Sequence, residues 1–351
     1  MEKKSMKNIR VNVNTPYWVM VDRSVLATTG ACIKSLSRAN KVVVITDSNV
    51  DKFYSKIVID SINKVGFETH KFIFDAGEKS KNINTYLDIV SFLVKNNVSR
   101  NDLLVALGGG VVGDLVGFVA STYLRGVDFV QIPTTLLSII DASVGGKTAI
   151  DIEEGKNLIG AFYQPKMVIA DLNTLETLPS EEISNGLGEM AKYAVLIGGE
   201  YFDMMEDDVY KNLDTLIALS IEYKRDIVEK DEKEGNIRKF LNLGHTVAHA
   251  IEKLSGYTIP HGNAVSTGLV VMAKACNKNG LLTDGQRDRI LSLIEKYNLS
   301  KTHPFSIGDI AKEIALDKKS DSKKVDAIVI NAIGECEIKP IALNEIGDFL
   351  K

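Results

Sequence analysis

Five histidines occur in 351 residues, and three of them, His245, His249 and His261, fall within seventeen positions. Imidazole ligates zinc readily and exchanges protons near neutral pH, so the cluster is a candidate metal or proton-transfer site. His245 and His249 stand four apart, on one face of a helix. On spacing alone they form a ligand pair in the manner of a zincin helix, although Thr246 stands where such a helix carries Glu. A catalytic zinc takes three protein donors and keeps one position open; Glu189, on the preceding helical stretch, is the candidate oxygen donor. The isolated His70 and His303 read as ordinary core or surface residues.

The run Gly108-Gly109-Gly110-Val111-Val112-Gly113-Asp114 follows an apolar stretch and opens a helix, where backbone N–H groups and the helix dipole can receive a pyrophosphate. As a dinucleotide fingerprint it is imperfect. The glycines come late in the chain, and QIPTTL stands where an acidic residue about twenty positions on would hold a ribose. That departure argues against an ordinary Rossmann dehydrogenase and leaves Asp47, at the end of an earlier strand, to hold an adenosine ribose. Basic residues sit beside Gly, Asn and Ser in stretches that read as turns: Arg125-Gly126, Ser143 to Lys147, Gly155-Lys156-Asn157, and Arg238 four residues before Asn242. Such loops either sit in water or line an anion pocket through charge-assisted hydrogen bonds, and spacing does not choose between the two.

The elements that must position these residues follow from periodicity. NIRVNVN and YWVMVD, broken at Thr15-Pro16, predict a strand pair. Lys41-VVVITD is continuously apolar and precedes an amphipathic stretch from Val50 to Val65 that stops at Gly66, a β-α unit. The unit repeats in ETHKFIF with a helix from about Ile83 to Lys95, and in DLLVALGG with a helix from Asp114 to about Leu124; FVQIP and MVIADL follow. Alternation-free strands between helices imply a parallel sheet covered on both faces, an α/β, Rossmann-like domain over 1–178. Pro179 breaks, Ser180 can cap and Glu181 and Glu182 suit a first turn. From there a mainly helical domain over 179–351 is expected, with helices at Ser180 to Ile197, Leu213 to Asp231, His245 to Leu254, Ala264 to Asn279, Asp284 to Tyr297 and Ile307 to Ala315. A hairpin, VDAIVINAIGECEIKPI, closes it.

Composition bounds the function. With 45% hydrophobic and 25% charged residues the chain is globular, and a net charge of −4 gives no global positive field to hold nucleic acid or an anionic membrane. No run of eighteen apolar residues occurs, and MEKKSMKNIRVNV lacks the apolar core of a signal peptide, so a cytoplasmic protein is expected. Cys32, Cys276 and Cys336, odd in number and far apart, suggest reduced packing thiols.

In order and spacing, the blocks LGGGVVGDLVGF, IPTTLLSIIDASVGGKTAID, GKNLIGAFYQP, DLNTLETLP, GEMAKY, DEKEGNIRKFLNLGHTVAHAIE, HGNAVSTG and LDKK resemble the 3-dehydroquinate synthase family of sugar phosphate cyclases, over roughly Val42 to Gly334. The resemblance implies the dehydroquinate synthase-like fold and a homodimeric, NAD- and zinc-dependent phosphorus–oxygen lyase, with cobalt a possible substitute metal. The implied reaction converts 3-deoxy-D-arabino-heptulosonate 7-phosphate to 3-dehydroquinate and phosphate in the shikimate pathway to chorismate and aromatic amino acids. Its steps are transient oxidation by NAD, phosphate elimination, re-reduction, ring opening and intramolecular aldol closure. A cationic pocket suits a substrate with one carboxylate and one phosphate.

Carried over position by position, the resemblance assigns NAD to the first domain, held by Asp47, Asn49 and Lys52, by Glu78 and Lys81, by Gly109, Gly110, Val111 and Asp114, by Thr134, Thr135, Lys147 and Lys156, and by Thr174, Leu175, Glu176 and Thr177. It makes Glu189, His245 and His261 the zinc ligands in the second domain, which replaces the pair suggested by spacing and turns His249 to the substrate. Substrate contacts would also come from Arg125, Asp141, Lys147, Asn157, Lys192, Lys224, Arg238, Asn242 and the Lys318-Lys319 pair. Two departures stand out: Gly188 where the family often carries Ala, and Ala248 where Gly is common. The alternatives left open are another sugar phosphate cyclase and a metal-dependent polyol dehydrogenase of the glycerol dehydrogenase type.

Overall fold

The computed structural model describes residues 7–317 and 323–351; Lys318 and Lys319 lie outside the described residues. The chain divides into two compact units, one reaching to Leu178 and taking in Lys224–Glu232, the other made of Pro179–Tyr223 and Lys233–Lys351.

The first unit contains β1 (Lys7–Val11), β2 (Tyr17–Asp22), α1 (Thr29–Leu36), β3 (Lys41–Asp47), α2 (Lys56–Lys64), β4 (Glu68–Phe74), α3 (Ile83–Lys95), β5 (Leu103–Gly108), α4 (Gly110–Thr122), β6 (Asp128–Pro133), β7 (Lys147–Ile152), β8 (Gly155–Phe162) and β9 (Met167–Asp171). A seven-stranded sheet runs in the order β1-β2-β9-β6-β5-β3-β4. All neighbours pair parallel except β1, which runs antiparallel to β2. Alternate side chains of each strand point to opposite faces, and here both faces are filled. Val43, Ile45, Leu104 and Ala106 pack with Ile89 and Leu93 of α3 and Leu115 and Val119 of α4, while Val42, Val44, Leu103 and Val105 pack with Ile33 of α1 and Val58 and Ile62 of α2. That two-sided burial is why these strands read as unbroken apolar runs.

The chain leaves β3 outward to β4 and returns across it to β5, so the strand order reverses between β3 and β5. Open α/β sheets bind ligands at the carboxyl ends of strands beside such a switch. Thr46 pairs with Leu107 and Gly108 with Pro133, which puts Asp47, the Gly108-Gly109-Gly110 turn and Thr134 along that one edge.

Several expected elements shift. The helix expected from Asp114 begins at Gly110, because glycines are tolerated in a first turn that needs free N–H groups more than side chains. The stretch expected as helix from Val50 opens with a π turn, Asp51–Ser55, before α2. Lys147, Lys156 and Asn157, expected on turns, fall instead within the antiparallel β7–β8 hairpin: Lys147 pairs with Phe162, whereas Lys156 and Asn157 lie at the irregularity in its register and Asn157 keeps a left-handed φ of 58°.

The second unit contains α5 (Ser180–Ile197), α6 (Gly199–Lys230, its last turns grouping with the first unit), α7 (His245–Leu254), α8 (His261–Lys278), α9 (Asp284–Lys296), α10 (Ile307–Asp317), the antiparallel pair β10 (Lys324–Ala332) and β11 (Glu335–Ala342), and α11 (Ile346–Leu350). Ser180 is the first helical residue of α5 and does not cap it; Pro179 holds the cap position. Asp208, extended at φ −164°, breaks α6, and its Oδ1 accepts from Tyr210 N (2.9 Å) and Lys211 N (3.3 Å) to cap the second part. The helix expected from Leu213 therefore starts earlier. So does α8, which opens on His261 after Pro260 instead of at Ala264. Among the described residues no helix is long and apolar enough to cross a membrane.

Candidate active site

In the first unit, Asp47 is nearly buried, and its Oδ1 accepts from Asn49 N (2.8 Å) and Val50 N (3.0 Å), an Asx turn that fixes the end of β3. Asn49 and Lys52 are exposed just beyond it. Gly109 caps α4, and a Cβ there would lie 3.0 Å from Thr135 Cγ2, so the turn passes close under the loop after β6. Thr134 is buried, with its Oγ1 lacking a hydrogen-bond partner. A bare helix N-terminus beside an unsatisfied hydroxyl suits a bound phosphate-bearing cofactor. Thr174 is buried in the 3₁₀ segment Leu172–Thr177, Leu175 is half-buried, and Glu176 and Thr177 are exposed, Glu176 lying 3.4 Å from Arg23 Nη1. Tyr54 ties this segment down through Thr177 Oγ1 and Thr174 O, a contact the sequence reading passes over.

Lys81, 4% exposed, is the buried hub of a cluster of charges in the unit. Its Nζ lies 2.8 Å from Glu78 Oε1, 2.8 Å from Asn157 Oδ1, 3.4 Å from Asp114 Oδ2 and 3.5 Å from Asp151 Oδ1; Lys156 Nζ is 3.8 Å from the same Glu78 oxygen. Burial raises the carboxyl of Asp114 to about 6, because desolvation outweighs the attraction of Lys81. Burial also lifts Asp151, whereas Glu78 is held low by Lys81 and Lys156 despite its desolvation. Asp151 further accepts from Asn157 N at 2.8 Å, so it braces two residues of the expected site without having been singled out itself. Arg125 is exposed on a turn where Leu124 (φ 50°) and Arg125 (φ 66°) are both left-handed, backbone strain of the kind that persists where surroundings enforce it. Asp141 is engaged by the buried Lys224, whose Nζ lies 2.9 Å from Asp141 Oδ1 and donates to Asp141 O at 2.6 Å. Lys147 is exposed at the start of β7.

In the second unit, Glu189, His245 and His261 each offer a ligand atom within 4.8 Å of the others. Glu189 Oε1 lies 3.3 Å from His245 Nε2 and 3.1 Å from His261 Nε2. Tetrahedral zinc with bonds of about 2.0–2.1 Å has ligand–ligand edges of roughly 3.3 Å, so those two edges already match. The other ring nitrogens are also engaged: His245 Nδ1 lies 3.2 Å from Leu243 O, and His261 Nδ1 lies 3.3 and 3.4 Å from the two oxygens of Glu252. Each ring thus faces acceptors through both nitrogens, while a neutral imidazole has a single N–H. Such a ring needs either a second proton or a cation shared with Glu189, and the donor set fits a divalent metal. Consistently, burial pulls His261 down, but Glu189 and Glu252 outweigh it and lift the ring to about 10. Burial would raise Glu189, yet Lys192, 2.5 Å from its Oε2, and then His245 hold it well below the usual range.

Three helices meet backbone to backbone to make this cluster. A Cβ on Gly188 would come 2.2 Å from Gly262 O, and one on Gly262 would come 1.9 Å from Asn185 O. The residue where this chain departs from the family's common Ala therefore lies at the closest approach of α5 and α8. Gly244, left-handed at φ 77°, opens α7 against Val265 and Leu269 of α8.

His249, one turn after His245, is exposed and falls outside the three-ligand cluster, its ring centroid 5.4 Å from that of His245 and 6.3 Å from that of His261. Arg238 is 1% exposed in the 3₁₀ segment Ile237–Asn242, and Asn242 Nδ2 donates to Glu234 Oε1 at 2.9 Å. Neither Glu234 nor Glu252 was marked by the sequence reading. Glu252 had a usable signal, since it follows His245 by seven residues, two turns along the same face.

Family models for the N-terminal and C-terminal parts of 3-dehydroquinate synthase match residues 71–185 and 186–320. A 3-dehydroquinate synthase of Streptococcus suis (strain 05ZYH33) is 40% identical over 346 residues, covering 96% of this chain and 98% of the relative. One of Clostridium acetobutylicum is 38% identical over 358 aligned residues, covering 99% of each. Among solved structures, the 2-epi-5-epi-valiolone synthase of Streptomyces hygroscopicus subsp. jinggangensis 5008, with NAD+ and Zn2+ bound, superposes with a TM-score of 0.87 at 25% identity over 100% of this chain and 98% of that one. A glycerol dehydrogenase from Schizosaccharomyces pombe reaches only 0.64 at 16% identity, over 95% of this chain and 87% of that one. Near-complete coverage at about 40% identity, together with both family models, makes this chain a member of the 3-dehydroquinate synthase family.

Proposed function

We propose that the chain converts 3-deoxy-D-arabino-heptulosonate 7-phosphate to 3-dehydroquinate and phosphate, with NAD held by the first unit and a divalent metal, zinc or cobalt, held by Glu189, His245 and His261. The observation that carries this reading is the pair of histidine rings aimed at one buried carboxylate oxygen with both outer nitrogens already engaged. When bound, NAD supplies a hydride acceptor that is restored within each turnover, and the metal supplies Lewis acidity to substrate oxygens.

The chain's own residues do the rest. Asp47, Asn49 and Lys52 serve the adenosine end of NAD, and the first turn of α4 with Thr134 and Thr135 serves the pyrophosphate. Glu78, Lys81, Asp114 and Lys156, joined by ion pairs, also serve NAD, as do Lys147 and Thr174 to Thr177. Arg125, Lys147, Asn157, Lys192, Lys224, Arg238 and Asn242 bind the substrate's carboxylate and phosphate, Asp141 orients Lys224 toward them, and Lys318 and Lys319 join them. Lys192 occupies Glu189 Oε2 and leaves Oε1 for the metal. His249, outside the ligand set, is placed to hydrogen-bond a substrate hydroxyl. Holding both ends of one molecule favours the closing carbon–carbon bond by effective molarity, about 10⁵ M or more for well-oriented groups. The reaction needs no membrane or nucleic acid, and we assign the working enzyme to a cytoplasmic homodimer.

The test is phosphate release from the heptulosonate phosphate with catalytic NAD and zinc, while NADH absorbance is followed. Phosphate without NADH accumulation is expected. Steady NADH build-up would point to a polyol dehydrogenase, and no phosphate to a cyclase with another substrate.

A further inference from the structure

We propose that Glu252 is a positioning residue for the metal, holding His261 through Nδ1 so that Nε2 stays directed at Glu189 Oε1; this rests on the metal reading above.

The three ligand side chains differ in how firmly their surroundings hold them. Glu189 is 1% exposed, His245 11% and His261 33%. Packing alone therefore fixes Glu189 and nearly fixes His245, but leaves a third of the His261 ring in solvent. His261 is also the first residue of α8, behind Pro260, where no preceding helical turn confines its rotamer. What holds the ring is Glu252, whose two carboxylate oxygens lie 3.3 and 3.4 Å from Nδ1, so the nitrogen sits almost on the carboxylate bisector.

Glu252 is itself only 6% exposed, and a carboxylate is costly to bury without a charged or strongly donating partner. The contrast with His245 is informative. That ring is fixed at Nδ1 by a main-chain carbonyl two residues upstream, an acceptor that no side-chain substitution removes. His261 depends on one replaceable side chain, carried on the helix that carries His245. A carboxylate accepting from Nδ1–H fixes the tautomer, keeps the Nε2 lone pair free and strengthens it as a donor.

The experiment uses the full chain, stripped of metal with a chelator and titrated with zinc against a chromophoric competitor. Glu252→Met keeps side-chain length without an acceptor, Glu252→Gln keeps an oxygen acceptor without the charge, and Glu252→Ala is the second acceptor-free variant. Removing such an outer partner lowers metal affinity by about 10–100-fold, the loss expected of Met and Ala, with the Gln variant closer to wild type. In the cobalt-loaded forms the visible bands of Met and Ala should move, and those of Gln should stay near the wild-type positions. Wild-type zinc affinity in whichever acceptor-free variant folds would overturn the inference while leaving the metal reading intact. A wild-type chain that takes up no zinc would overturn both.

Discussion

Asp114 offers a prediction in which stability and binding pull in opposite directions. Its carboxyl titrates near 3.8 when unfolded and at about 6 in the folded chain, where burial outweighs the attraction of Lys81. The fold therefore prefers the neutral acid. The folded state holds an extra proton between those two values, so stability falls as pH rises through that window, and the full cost is present above about pH 6. A displacement from 3.8 to about 6 corresponds to about 3 kcal/mol. The side chain is 22% exposed, however, and water screens part of that, leaving about 1–2 kcal/mol. Asp114→Asn keeps the shape without the charge and leaves Lys81 its contacts with Glu78, Asp151 and Asn157. In urea unfolding without NAD, the variant's advantage over wild type should grow from roughly a third of its full size at about pH 4.5 to about 1–2 kcal/mol at about pH 7.5. It should also bind NAD more weakly, if Asp114 belongs to the cofactor site. Two parallel stability curves would refute the burial argument, and a wild-type advantage that grows with pH would mean that the ionised carboxylate is net favourable.

Glu189→Ala and His261→Ala should each lose metal and activity together, whereas His249→Ala should retain metal after dialysis and lose activity; equal metal loss from the His249 variant would restore the ligand pair suggested by spacing. Gly262→Ala pushes a methyl to 1.9 Å from Asn185 O, so α8 must move, and about 1–3 kcal/mol of thermal stability should go along with metal affinity. Lys224→Met leaves Asp141 without its 2.9 Å ion pair and should raise KM for the phosphorylated substrate more than it lowers the melting temperature. Chelator treatment should inactivate the enzyme, and zinc or cobalt should restore it.

Which features could be read in advance depended on how local their physics is. The helix at 83–95 carries its own start signal, since Asn82 accepts from Asn84 N and Thr85 N, and the buried strands announce themselves by unbroken apolar runs. The β7–β8 hairpin did not, because Gly155 and Gly160 are turn residues whose strand conformation comes from pairing with β7, while Asn157 keeps a left-handed φ of 58° at the irregularity in the register. Asp208 illustrates the same limit, as a single extended residue that splits a periodic stretch. At the metal cluster, spacing within one helix favoured His249 over His261, for a period of 3.6 residues sees only ligands on its own helix. The choice of His261 came through resemblance, and no residue spacing could have shown the main-chain contact of α5 with α8 that brings it near Glu189. Glu252 went unnoticed because a Glu on an amphipathic helix usually faces water.

The backbone contact at Gly188 and Gly262 has a bearing on how the cluster can adjust to an ion. Side chains between helices act as springs, since a rotamer change absorbs a few tenths of an ångström; two glycine backbones in contact leave nothing to compress. Glu189 and His261 are thus carried on a fixed gauge. Zinc and cobalt, similar in size and content with nitrogen donors, fit a donor set of two imidazoles and one carboxylate, whereas calcium takes six to eight oxygens at about 2.3–2.6 Å, which these three residues do not supply. At this point of the fold the main chain has no slack, so any adjustment of the cluster falls to the side chains it carries.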